Sequence, residues 1–211
     1  MITSEITIVL SLITPLIGAF LILAARHFPN LRETVTLITA STLFYWVCTL
    51  FPEVMDGERP ENTLLEMLPG LNIAFKIEPL GMVFAGVASF LWIVTTIYSI
   101  GYMRGHHEEN QTRFYFYFAI SLMAAIGIAF SANMMTLFIF YEILTLCTFP
   151  LVTHHGTEET KRAGRIYLGL LLGTSIGLQL LAIIWTWSVA GTLDFTQGGI
   201  LSGNVSNITA G

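Results

Sequence analysis

The sequence predicts an all-α integral membrane protein with six transmembrane helices and a short β-hairpin in the outer loop between helices 2 and 3. Only 11% of its 211 residues are charged, and its mean hydropathy is +0.72. Soluble domains carry about 25% charged residues. Apolar runs are also as long as the roughly 17–25 residues that a helix needs to cross the hydrocarbon core. These features exclude a soluble globular class.

The first span follows an N-terminus that has no basic region, so we expect a retained helix rather than a cleaved signal peptide. The second span is short and the sixth is long, which tilt or local thinning of the bilayer can absorb. Gly169, Gly173 and Gly177 lie four residues apart in the sixth span, a spacing that favours close helix packing in lipid. We therefore expect that helix to pack tightly on a neighbour. The predicted spans are 6–25, 35–51, 80–100, 114–132, 134–152 and 166–190.

Lys and Arg residues concentrate on one side of the predicted membrane. Seven of the nine fall in the loops after spans one, three and five, and only Arg59 and Lys76 lie in the loops on the other side. Because the Lys/Arg-rich loops of membrane proteins stay in the cytoplasm, we expect the N-terminus to face outward. The net charge of −5, without a dense basic cluster, argues against a nucleic-acid partner.

Two stretches outside the spans have their own patterns. The loop 52–79 is acidic, and residues 71–78 alternate apolar with mostly polar side chains. Alternation with a period of two predicts a strand, hence the β-hairpin on the outer face. The tail 191–211 contains no further span, so we interpret it as a loop and a truncation point within one membrane domain, 1–211.

Glu142 is the candidate proton site, because it is the one charged residue in the apolar run 134–152. A charge at the centre of a membrane helix costs about 2.5–3.5 kcal/mol on insertion scales, and such residues usually mark proton or ion pathways. The alternative is a tolerated carboxyl group that is hydrogen-bonded between helices.

Polar side chains near Glu142 are candidates for a proton path. Tyr141, Thr145 and Thr148 lie on the same helix, and Gln179 lies at mid-depth in the sixth span with Thr174 and Ser175. Such groups can carry a chain of water molecules, but they also join helices. His154 and His155 follow the fifth span, where histidine could relay protons. A solvated loop is the alternative for them.

Six short motifs stand in a fixed order along the chain. They are FKIEPL at 75–80, YSIGYM at 98–103, SANMM at 131–135, FYE at 140–142, LVTH at 151–154 and GTLDF at 191–195. Each is weak alone, but their order and the charge asymmetry resemble the antiporter-like subunits of respiratory complex I, Mrp-type Na⁺/H⁺ antiporters and membrane-bound hydrogenases. The sequence departs from that family at Tyr141, where Trp or Phe is usual.

The resemblance implies a function and partners. In the family, the glutamate at the position of Glu142 pairs with a lysine on helix seven and forms part of the proton route. The 211 residues resemble only the part of the family up to helix six, so that lysine is not among them. The resemblance also implies other membrane subunits as partners, H⁺ and Na⁺ as translocated ions, and a bacterial or archaeal plasma membrane or its organellar equivalent.

Three functions stay open on the sequence. The first is the N-terminal portion of a subunit that translocates protons, or exchanges a monovalent cation for protons, in a larger membrane complex. The second is a structural subunit without transport of its own. The third is a six-helix permease for a small solute.

The sequence shows no cofactor motif. It lacks a Gly-rich phosphate loop and a haem signature, and Cys48 and Cys147 have no metal-binding spacing. We therefore expect no cofactor and no metal. Whether the chain is part of an enzyme stays open, since the redox chemistry of an NADH:quinone oxidoreductase-like or hydrogenase complex would lie on other subunits.

Overall fold

The computed structural model describes residues 3–68, 71–154 and 157–201. Within these residues, six helices are long and apolar enough to cross a membrane. The sixth contains a π-helical segment at Ser175–Leu180 between two α-helical pieces. The helices are α1 (Ser4–Ala24), α2 (Pro29–Met55), α3 (Pro79–Gly105), α4 (Gln111–Ala129), α5 (Met134–Val152) and α6 (Glu158–Ala190).

The core lies among α1 to α4, where α1 packs on both α2 and α4. Its buried side chains include Leu43, Trp92 and Phe130. Small residues allow the closest approaches, as at Gly18 of α1 against Thr39 of α2. Many large apolar side chains point outward instead, among them Leu80 and Tyr98, which are 82% and 69% exposed. Such a surface suits a lipid environment better than water.

Strands β1 (Glu61–Leu68) and β2 (Leu71–Lys76) follow α2 and form a two-stranded antiparallel sheet. The backbone of β2 also binds the α4–α5 connection, where Ala132 N–H donates to the Ala74 carbonyl at 3.0 Å. The segment after α6 joins the same region through a bridge between Asn133 and Asp194. We call this side of the bundle, which holds the sheet and these connections, the sheet end.

The opposite side, the basic end, holds the α1–α2, α3–α4 and α5–α6 connections. Arg32 at the start of α2 donates to Gln111 and Thr112 at the start of α4, at 2.7 and 3.1 Å. Arg104 at the end of α3 pairs with Glu33 of α2. The loops predicted to share one side of the membrane therefore meet in the fold.

Several helices differ in length from the predicted spans. The second was expected to be short, yet α2 has 27 residues and begins at Pro29. Its first turns contain the buried polar residues Arg32 and Glu33, so hydropathy alone placed them in a loop. Helix α4 ends at Ala129 rather than 132 because Ser131 and Ala132 pair with β2 instead.

The expected tight packing of the sixth helix is wrong for the described part of the chain. A side chain added at Gly169, Gly173 or Gly177 would meet no atom within 4 Å among the described residues. Only 11% of the most apolar stretch of α6 is buried, against 44% for α1. The glycine seam is therefore open. Part of the predicted tail, 202–211, lies outside the described residues.

Candidate functional site

Glu142 is the ninth of the 19 residues of α5. It therefore lies about 12–15 Å from either end of the helix, at 1.5 Å per residue. The side chain is half-buried, and its Oε1 atom is buried without a hydrogen-bond partner among the described residues. No described cation pairs with it. A buried polar atom without a partner is uncommon and calls for a physical reason.

The start of α5 is fixed firmly to the sheet end. Asn133 caps the helix by accepting a hydrogen bond from the Thr136 N–H at 2.8 Å, and its amide donates to the Asn72 side chain at 2.7 Å. The ring of Phe140 packs edge-on against Phe75, with centroids 5.5 Å apart. Glu142 follows two residues later, so its backbone position is set by these contacts.

A cavity of about 400 Å³ lies between α5 and α6, and its α5 side is lined by Tyr141, the residue before Glu142 in the sequence. It brings together two of the predicted path residues, Tyr141 and Gln179, with Thr174 and Ser175. Its α6 wall is largely the π-helical segment Ser175–Leu180. Single π-helical turns inside α-helices occur frequently at functional sites. The cavity is large enough to hold water beside polar groups.

Three hydroxyl groups in this region bond to the backbone of their own helices. The Thr148 hydroxyl donates to the Thr145 carbonyl at 2.9 Å, and the Thr174 hydroxyl donates to the Leu170 carbonyl at 2.9 Å. Ser175 donates to the Leu172 carbonyl at 3.3 Å. Since these three hydroxyl protons are committed to the backbone, the lone pairs of their oxygens remain to accept bonds from water.

His154 lies away from this cavity, at the basic end. Twelve residues separate it from Glu142, which is a rise of about 18 Å along a helix. Its carbonyl accepts a hydrogen bond from Arg113 at 2.8 Å, and its ring lies edge-on to Phe114. His155 lies outside the described residues. The structure thus brings Tyr141 and Gln179 together but leaves His154 apart from them.

Two features of the structure are not among the predictions from the sequence: the π-helical segment beside the cavity and a buried ion pair at the basic end. The π-helical segment has no composition that distinguishes it from the flanking helix. The buried Arg32–Glu33 pair could have been found in the sequence, since two residues of opposite charge stand side by side just before the second predicted span. Within the described residues, no group of three or more His, Cys, Asp or Glu side chains could hold a metal ion.

Two family models match the chain. Residues 69–115 match a model described as the N-terminus of chain 5 of NADH-ubiquinone oxidoreductase, complex I. Residues 131–209 match a model described as the transmembrane region of NADH:quinone oxidoreductase and Mrp antiporter subunits.

Curated relatives share about a quarter of the aligned residues. A protein of Staphylococcus aureus named Na⁺/H⁺ antiporter subunit A1 is 28% identical over 176 residues, which are 82% of this chain and 22% of that protein. An antiporter subunit of Staphylococcus saprophyticus is 27% identical over 166 residues, 76% of this chain and 20% of that subunit. The chain thus spans about a fifth of the length of these relatives.

Two solved structures share the fold. The Mrp complex from Dietzia sp. has a TM-score of 0.75 at 20% identity, over 92% of this chain and 36% of the compared chain. A membrane-bound sulfane sulfur reductase, described as an archaeal respiratory membrane complex, has a TM-score of 0.73 at 21% identity. That match covers 88% of this chain and 28% of the other.

Proposed function

The chain belongs to the family of antiporter-like membrane subunits, and on that basis we propose that it forms the N-terminal part of a proton-translocating or cation/proton-exchanging subunit, with Glu142 as an intramembrane proton site. The subunit acts within a multi-subunit complex of a bacterial or archaeal plasma membrane. Its ions are H⁺ and, where exchange occurs, Na⁺.

The Oε1 atom of Glu142, which is buried without a hydrogen-bond partner in the part of the chain that the structure describes, is the observation that carries this proposal. A carboxyl oxygen without a partner can accept a hydrogen bond from an arriving water molecule without breaking an existing contact. The adjacent Tyr141 lines a cavity with Gln179, which offers room for the water that would deliver the proton. We propose that the cation that pairs with Glu142 comes from outside these 211 residues.

Proton translocation by the complete complex tests the proposal. In everted membrane vesicles, we expect Glu142→Gln to lower the rate of proton uptake at least tenfold, because the amide cannot exchange the proton. Glu142→Asp should keep part of the rate, since it retains the carboxyl group. The amount of assembled complex is measured in the same vesicles.

The matched control is Glu109→Gln, which removes an exposed carboxylate from the α3–α4 connection. It should leave proton uptake unchanged. Full uptake by the Glu142→Gln variant, with the complex assembled, would reject the role of Glu142.

A structural subunit is the second candidate, and the open glycine seam of α6 favours it. Gly169, Gly173 and Gly177 form a surface that another helix can approach closely in lipid. In this case Glu142→Gln would assemble and translocate normally, while bulky residues on the seam would prevent assembly. The Glu142 variants therefore separate the two functions.

A further inference from the structure

A cavity of about 790 Å³ opens at the basic end, between the α1–α2 connection and the start of α4. We call it the basic cavity. Its lining includes three arginines, Arg26, Arg32 and Arg113, and one acidic residue, Glu108. The lining therefore carries net positive charge even when His27, which also lines it, is neutral.

Arg32 is built into the wall of this cavity. The residue is only 4% exposed, and its two terminal nitrogens donate to Thr112 and Gln111 at 3.1 and 2.7 Å. The guanidinium carbon lies 5.2 Å from the centre of the Tyr115 ring. Its Nε atom is buried and has no acceptor among the described residues. The guanidinium group is thus held in place through both terminal nitrogens.

The carboxylate of Glu33 neutralises the charge of Arg32 only in part. Arg104 donates to both oxygens of Glu33, whereas Arg32 reaches one of them at 3.4 Å. Arg113 donates to the His154 carbonyl at 2.8 Å, and its Nε is also buried without an acceptor among the described residues. The positive charge of the three arginines that line the cavity is thus only partly compensated, so the cavity favours an anionic oxygen ligand.

One flank of the basic cavity is apolar. Leu23 and Phe116 line it, and Phe20 lies one turn before Leu23 on α1. Phe20 and Leu23 are 58% and 45% exposed, and the rings of Phe20 and Phe116 meet edge-on at 6.2 Å. This apolar flank runs from the basic end along α1 and α4 towards the middle of the helices.

We propose that the basic cavity binds one anionic phospholipid. Its phosphate group lies against Arg26, Arg32 and Arg113, and an acyl chain follows the apolar flank at Phe20, Leu23 and Phe116. Basic pockets between membrane helices at the cytoplasmic side bind anionic headgroups in this way. A free phosphate ion would leave the apolar flank uncovered, and so would an acidic protein segment. The inference requires membrane insertion but not transport through Glu142.

The test titrates lipid into the delipidated, detergent-purified complex and counts bound molecules by native mass spectrometry. Phosphatidylglycerol should bind at least tenfold more tightly than phosphatidylcholine. The double variant Arg26→Gln, Arg113→Gln should lose at least tenfold in phosphatidylglycerol affinity. The matched control Arg162→Gln, Arg165→Gln removes the same charge from exposed positions outside the cavity and should leave the affinity unchanged.

A second variant removes the apolar flank without changing the charge. Phe20→Ser with Leu23→Ser alters exposed side chains, so the fold should persist, and phosphatidylglycerol affinity should fall at least threefold. Equal loss in the Arg162/Arg165 control would overturn the proposal in favour of diffuse attraction. Inorganic phosphate that binds as tightly as the lipid would overturn it in favour of a free-anion site. If no phosphatidylglycerol bound and a neighbouring subunit covered the cavity in the complex, the proposal would be overturned in favour of a protein contact.

Discussion

Two guanidinium groups share the carboxylate of Glu33 at the basic end. The Glu33 side chain is 6% exposed, and it pairs with Arg32 on its own helix and Arg104 on α3. Removing one partner of a buried ion pair is strongly destabilising, by about 3–5 kcal/mol, because it leaves uncompensated charge. We expect Glu33→Gln to lower the free energy of unfolding by about 3 kcal/mol on this ground. Unfolding of the detergent-purified protein by titration with SDS measures it.

The control for Glu33 is again Glu109→Gln, since Glu109 is exposed. Its unfolding free energy should change by less than about 0.5 kcal/mol, as is usual for surface substitutions. Equal stability of the two variants would mean that the Glu33 network contributes nothing to holding α2 against α3.

At this scale, what the sequence could predict depended on how local the signal was. Glu142 was visible because a charge inside an apolar run needs no knowledge of the fold. Tyr141 and Gln179 were predicted as polar groups of two helices, and the structure places them on one cavity. The bond from Arg32 to Gln111 joins residues 79 positions apart, so no local pattern could indicate it.

Among the elements, helix ends were harder to predict than helices. Hydropathy located six apolar segments, because a helix needs about 20 predominantly apolar residues to cross the hydrocarbon core. It failed where polar residues are helical but buried, as in the first turns of α2, and where an apolar residue such as Ala132 leaves the helix to pair with β2. Tertiary contacts, rather than local propensity, set these ends.

Glycines on α4 and α6 occupy opposite environments and allow a matched comparison. A side chain at Gly127 of α4 would collide with the Phe140 ring of α5, whereas one at Gly173 of α6 would meet no described atom. We expect Gly127→Leu to destabilise the folded chain by about 1–3 kcal/mol through overpacking. Gly173→Leu should not lower that stability, because its side chain meets no described atom, and it should prevent copurification of partner subunits.

Both variants gain the same helix propensity, so the difference between them reports packing alone. SDS unfolding measures the first effect and affinity purification of the complex measures the second. If Gly173→Leu assembled with normal partners, the open seam of α6 would not be a contact surface.

The helices of the molecule differ in how much of their surface is buried. Helices α1 to α4 enclose the core, and the sheet end ties β2, the α4–α5 connection and the segment after α6 together. In contrast, only 17% of the most apolar stretch of α5 and 11% of that of α6 are buried. The candidate proton site thus lies where the described part of the chain is least covered. A partner surface over α5 and α6 would enclose the cavity beside Tyr141 and exclude lipid from it.

Orientation in the membrane is a property of the whole molecule, and the charge distribution predicts it. Seven of the nine Lys and Arg residues lie at the basic end, so we expect that end to face the cytoplasm and the sheet end to face outward. Cys48 and Cys147 are replaced by Ala, and single cysteines are placed by Glu58→Cys at the sheet end and Glu109→Cys at the basic end, both exposed positions. In sealed right-side-out vesicles, a membrane-impermeant maleimide should label the Glu58 variant at once and the Glu109 variant only after permeabilisation. The reverse pattern would place the basic cavity on the outer surface, away from the anionic lipids that enrich the cytoplasmic leaflet.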